Sequence, residues 1–75
     1  ANAPIDLRAV VDEHVKAFGS TARQRKIALQ WDPPGEPVVV RGSARELGKV
    51  ARNLISNAVK FTPAGGRVAV ALAQD

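Results

Sequence analysis

The sequence predicts a small α+β domain in which two helices pack on one side of a small sheet. Three observations carry that expectation. Two long stretches repeat apolar residues at the helical period. Short stretches around them alternate apolar and small or polar residues, the two-residue period of a strand. The order is short strand, helix, strand, short strand, helix, strand, which layers helices over strands.

In chain order, Ala1 to Pro4 reads as the end of a linker. Ile5, Asp6 and Leu7 form a brief strand, and Asp6 is placed to cap the helix that follows. Val10, Val11, Val15, Phe18 and Ala22 keep helical spacing. Gly19-Ser20-Thr21 is a weak point in that helix, and the stop is expected near Lys26, where glycine is more usual. Ile27, Leu29 and Trp31 alternate as a strand. Asp32-Pro33-Pro34-Gly35-Glu36-Pro37 is a stiff loop, because three prolines and a glycine sustain neither element. Val38-Val39-Val40-Arg41 is a short β-branched strand. Val68, Val70 and Leu72 alternate with Arg67, Ala69, Ala71 and Ala73 in the last strand. A helix joining the Ile27–Trp31 and Val68–Leu72 strands implies a parallel pair with a right-handed crossover.

The stretch from Ser43 to Gly66 carries the chemistry. Ser43 and Glu46 have the spacing of a reciprocal capping box, and Pro63, Gly65 and Gly66 end the helix. Leu47, Val50, Leu54, Ala58 and Phe61 form one apolar stripe, expected to face the core. Asn53, Asn57 and Lys60 stand beside it at i, i+4 and i+7, within about 60° of one another. Two mid-helix asparagines do nothing for helix stability or packing. An amide offers a neutral oxygen to a hard cation such as Mg²⁺, and a lysine offers a point charge to a phosphate. A single asparagine on a helix flank is usually only solvated. The pair, with Lys60 and the Thr-Pro-x-Gly-Gly exit, points to a site.

Composition narrows the alternatives. Seventy-five residues make at most one small domain. The chain has no cysteine, so neither a disulfide nor a thiolate metal site supports it, which suits a reducing compartment. No apolar run approaches the roughly 20 residues of a membrane span. The net charge of +4 invites nucleic acid as a partner. Aromatic residues are too scarce for stacking platforms, and Arg23, Arg25 and Lys26 are the one tight basic cluster along the chain, so no nucleic acid is expected.

The run N-L-I-S-N-A-V-K-F-T-P-A-G-G, Asn53 to Gly66, resembles the N-box of the ATP-binding domain of sensor histidine kinases. Those kinases share their Bergerat-type fold with the gyrase and MutL ATPases. The resemblance extends more loosely from about Ile5 to Leu72 and implies a two-layer α/β sandwich, with Ile5–Leu7 and Val38–Val40 paired apart from the main sheet. By that resemblance Asn57 is the Mg²⁺ ligand, Asn53 lies beside the same ATP triphosphate, and Lys60 neutralises phosphate charge. Relatives that hydrolyse ATP carry glutamate at the position of Asn53. An amide is no general base for water, so Asn53 suits transfer of the phosphoryl group to a histidine in another domain.

His14 is not that acceptor. The family carries its acceptor on a separate helical domain, ahead of an acidic residue, whereas Asp12 and Glu13 precede His14. A half-buried packing histidine is expected instead. Residues 1–75 thus resemble the N-box half of the domain, without the boxes that read adenine and form the lid, and the fragment alone is expected to be inactive. The resemblance implies as partners the phosphoacceptor-histidine domain of the same parent and a response regulator, in the cytoplasm, with a membrane anchor on the parent left open. The outer row Ala69, Ala71 and Ala73 of the Arg67–Ala73 edge carries no charge and only Arg67 guards its start, which implies self-association through Val68–Leu72. A different class of reading is a non-catalytic interaction module that retains part of the fold.

Overall fold

The structure, a computed structural model, describes residues 3–72. It contains β1 (Ala3–Asp6), α1 (Leu7–Gln24), β2 (Ala28–Trp31), β3 (Val39–Gly42), α2 (Ala44–Phe61) and β4 (Arg67–Val70). The element order is the one expected. The four strands form two two-stranded sheets: β1 pairs with β3 antiparallel, and β2 pairs with β4 in parallel. Ala3 and Pro4 belong to β1, opposite Gly42 and Arg41, rather than to a linker.

Local chemistry sets the helix ends. The Asp6 carboxylate accepts from the backbone N–H of Arg8 at 3.0 Å and caps α1. Gly19 does not break α1, which runs unbroken over 18 residues. Lys26 supplies the left-handed turn after it, with φ of 58° at a position where glycine is more usual. Ser43 Oγ accepts from the Glu46 N–H at 3.4 Å, so the forward half of the capping box forms. After α2, Gly65 adopts φ of 88° and donates its N–H to the Lys26 carbonyl at 2.7 Å. Gly66 sits so close to Thr62 that a Cβ there would meet its Cγ2 at 2.5 Å.

The core lies between the helices and the β2–β4 sheet. Ala22, Ile27, Ile55, Val59 and Val68 form its centre, with Val15, Phe18, Leu29, Ala58 and Val70 packed around them. Val68 points inward and Arg67 and Ala69 outward, as the alternation predicted. Of the apolar stripe of α2 expected to face the core, Ala58 packs at its margin and Leu47 is half-buried, but the other three residues face outward. Leu54 is 67% exposed, Val50 56% and Phe61 75%. The buried stripe is Ala51, Ile55 and Val59, at 8%, 4% and 2%. Both stripes have helical spacing. The face that α1 and the β2–β4 strands pack against is the one carrying Ile55 and Val59, and that packing rather than the periodicity selects it. Trp31 ties β2 to α1 by donating its indole N–H to Asp12 at 3.2 Å. Lys16 pairs with the same carboxylate at 3.0 Å, and its hydrogen bond is the main reason that Asp12 ionises below the usual carboxylate range.

Candidate functional site

Helix α2 places Asn53, Asn57 and Lys60 on one exposed flank. None of the three is needed by the core, whose contribution from α2 is Ile55 and Val59 with Ala58 at its margin. The Lys60 ammonium lies 5.5 Å from the centre of the Phe61 ring. Exposed cation–π contacts of this kind are worth about 0.5–1 kcal/mol and bias the lysine toward one side. At about 100° per residue, Phe61 and Asn57 lie about 40° apart, so that bias draws the charge toward the Asn57 side of the helix. Val50, Leu54 and Phe61 form an apolar row on the other side of Asn57. The open surface of α2 thus carries an amide and ammonium strip beside a hydrocarbon strip.

The far end of this flank is held by a residue whose role the sequence did not disclose. Arg25, just after α1, donates from its guanidinium to the carbonyl of Val59 and, at 3.4 Å, to that of Thr62. Those carbonyls belong to the last turn and cap of α2, which has no partners of its own for them. Thr62 closes the turn further by donating its hydroxyl to the Ala58 carbonyl at 2.7 Å. The basic cluster around Arg25 is therefore partly structural. Only its sequence position at a helix end hinted at a role in capping, and nothing indicated that the helix capped would be α2.

His14 is half-buried, as expected. Its Nδ1 lies 2.8 Å from the Val10 carbonyl and donates to it, and its Cε1 faces Gly48 of α2. It fills the space between the helices opposite a residue without a side chain.

The donor set bears on which metal could be held. Among the described residues no group of three His, Cys, Asp or Glu side chains converges. Among the described residues the α2 flank offers no such cage, but exposed amide oxygens at Asn53 and Asn57. A cation that took most of its ligands from phosphates and water, as Mg²⁺ commonly does, would need few from such a flank.

No family model matches the chain. Curated relatives do. The chain is 36% identical over 70 residues to the signal transduction histidine-protein kinase/phosphatase MprB of Mycolicibacterium vanbaalenii, a match covering 93% of this chain and 14% of that protein. It is 36% identical over 64 residues to hybrid signal transduction histidine kinase D of Dictyostelium discoideum, covering 85% of this chain and 4% of that one. Among solved structures, the cytoplasmic segment of histidine kinase QseC matches with a TM-score of 0.84 at 32% identity, over 99% of this chain and 46% of that one. The catalytic domain of histidine kinase ThkA matches with a TM-score of 0.86 at 20% identity, a likeness of fold alone. The chain spans a small part of its curated relatives and about half of the solved segments it overlays. Among the described residues no helix is long and apolar enough to cross a membrane. By sequence and by fold, the chain is a relative of the sensor histidine kinases, corresponding to about half of the solved segments it overlays.

Proposed function

We propose that Asn53, Asn57 and Lys60 form the phosphate-facing wall of an ATP site in a protein histidine kinase. The observation that carries this reading is their shared exposure on one flank of α2, free of the core, in a chain related to such kinases. The Asn57 amide oxygen would hold Mg²⁺, which when bound neutralises phosphate charge. Lys60 adds a point charge toward the phosphates, and Asn53 contributes a neutral amide that orients without acting as a base for water. The protein's work is then positioning and charge stabilisation for transfer to a histidine on another domain of the parent, with a response regulator downstream and all of it in the cytoplasm. The test is Asn57→Ala in the parent kinase. Autophosphorylation falls at least about a hundredfold, the scale of losing a central electrostatic group, while the circular dichroism spectrum is unchanged. Full activity in the folded variant would sink the assignment.

For residues 1–75 alone, this reading predicts weak nucleotide binding. An open flank of three polar side chains barely offsets the cost of immobilising a ligand, so Mg-ATP binds with a dissociation constant of about a millimolar or weaker. Micromolar affinity by titration calorimetry contradicts it. The chain is also proposed to self-associate through its last strand. Among the described residues β4 pairs with β2 alone, and exposed Ala69 and Ala71 carry no charge on that edge. Ala73, the last residue assigned to this edge, lies outside the described residues. Sedimentation shows concentration-dependent dimers that Val70→Lys dissolves; a clean monomer in both chains refutes it.

A further inference from the structure

The basic residues of α2 are scattered in the sequence and gathered on the helix. Arg45, Lys49, Arg52 and Lys60 stand at i, i+4, i+7 and i+15, within an arc of about 80°. All are exposed. The row runs about 22 Å along the helix at 1.5 Å per residue. Glu46, the one carboxylate of α2, lies outside the arc, and among the described residues the only ion pair is Lys16 with Asp12, on α1. Charges of one sign in a row repel one another, and local pairing does nothing here to relieve that.

Beside this row lies a groove. Phe18, Thr21 and Arg25 from the α1 side and Ser56, Val59 and Lys60 from α2 line about 340 Å³ of open space. No carboxylate lines it. The helices run alongside each other in the same direction, since His14 meets Gly48 and Arg25 meets Val59 and Thr62 further along both. The trough has an apolar floor at Phe18 and Val59, hydroxyls at Thr21 and Ser56, and Arg25 and Lys60 in its lining; Arg45, Lys49 and Arg52 continue the basic row along α2 beyond it.

We infer that this trough and its basic rim are a docking surface for an acidic amphipathic helix of a protein partner. Charge complementarity selects the acidic face, and the apolar floor selects leucine-like anchors beside it. The length of the rim matches about four helical turns. A strand cannot add here, because this layer presents helices rather than a strand edge. Phe18 on the trough floor is the one aromatic side chain in its lining, which is no row of platforms on which successive nucleic-acid bases could stack. The exposed apolar row Val50, Leu54 and Phe61 lies on the opposite side of Asn57, so the rim itself has nothing to insert into a bilayer. This surface adjoins the proposed nucleotide flank, sharing Lys60 with it and placing Lys49 one turn before Asn53.

The experiment is a titration of the ¹⁵N-labelled chain, followed by amide chemical shifts. One probe is a synthetic helix of about 16 residues with a leucine stripe flanked by glutamates; the other has lysines in place of the glutamates. The acidic peptide shifts the amides of Thr21, Arg45, Lys49, Arg52 and Ser56, and its dissociation constant rises at least about tenfold between low and high salt. The basic peptide shifts none of them. Arg45→Glu with Lys49→Glu and Arg52→Glu removes the shifts from a chain whose spectrum stays dispersed; should that variant lose its fold, Arg45→Gln with Lys49→Gln and Arg52→Gln takes its place. Equal effects from both peptides, or shifts confined to other residues, overturn the proposal. So does tighter capture by phosphatidylserine–phosphatidylcholine vesicles or by duplex DNA. Because no readout involves nucleotide, the outcome is independent of the ATP-site reading.

Discussion

Two stripes of α2 have the same helical period and opposite fates. Ala51, Ile55 and Val59 are buried, while Val50, Leu54 and Phe61 stand in the open with Asn53, Asn57 and Lys60 beside them. Side-chain size and branching did not decide it: valine stands in both stripes, and buried Ile55 is an isomer of exposed Leu54. The packing of α1 and the strands β2 and β4 against one face of α2 did. Apolar periodicity identifies a helix more reliably than it identifies the helix's inner face. The outer face, freed of packing, is where residues poor for a helix interior are tolerated, and the candidate site lies there.

The sharpest way to break that comparison is to truncate one residue from each stripe. Ile55→Ala leaves a cavity among Ala22, Val59 and Val68 and costs about 2–5 kcal/mol, much of the stability of so small a domain. Leu54→Ala, one position away, changes stability by no more than about 0.5 kcal/mol because most of that side chain already meets water. Urea unfolding of the two variants decides it, and a larger loss at Leu54 would reverse the assignment of faces.

A second test sharpens the chemistry of the outer face. Lys60→Ala in the parent kinase weakens nucleotide binding roughly tenfold, the scale of one charge-assisted hydrogen bond, and Lys60→Arg restores part of it. Equal damage in both variants with affinity untouched assigns Lys60 a structural part instead. Arg25 already shows that a cation at this end of α2 can have one.

The smallest effect lies at the far side of α1. Asp12 ionises below the usual range because Lys16 and then Trp31 bond its charged form. A depressed folded value means that its contribution is fully present above the ordinary carboxylate range. The contribution is lost as pH falls through the lower, folded value. Unfolding midpoints of the chain and of Asp12→Asn, compared from neutral pH down to about pH 3, therefore converge in acid. A gap that stays constant removes the ion pair from the account.

Much of the fold is legible in the residues. Asp6 and Ser43 cap the helices they precede, because a short oxygen-bearing side chain reaches an unpaired N–H two or three residues on. The alternation in Arg67–Val70 sets which side chains turn inward. The spacing of Asn53, Asn57 and Lys60 suffices to place them on one flank of a helix. The four cations of α2 have helical spacing too, yet a row of cations on a helix is as often a solvated face. Only the trough beside them, built by a second helix, distinguishes the two cases.

Element type, order and caps follow from interactions within a few residues, which the sequence by itself determines. The inner face of α2, the reach of the Arg25 guanidinium across to a carbonyl 34 residues away, and the trough between α1 and α2 depend on distant segments meeting. Only the tertiary structure decides those, because burial is a property of the partner as much as of the residue, and no local pattern names the partner.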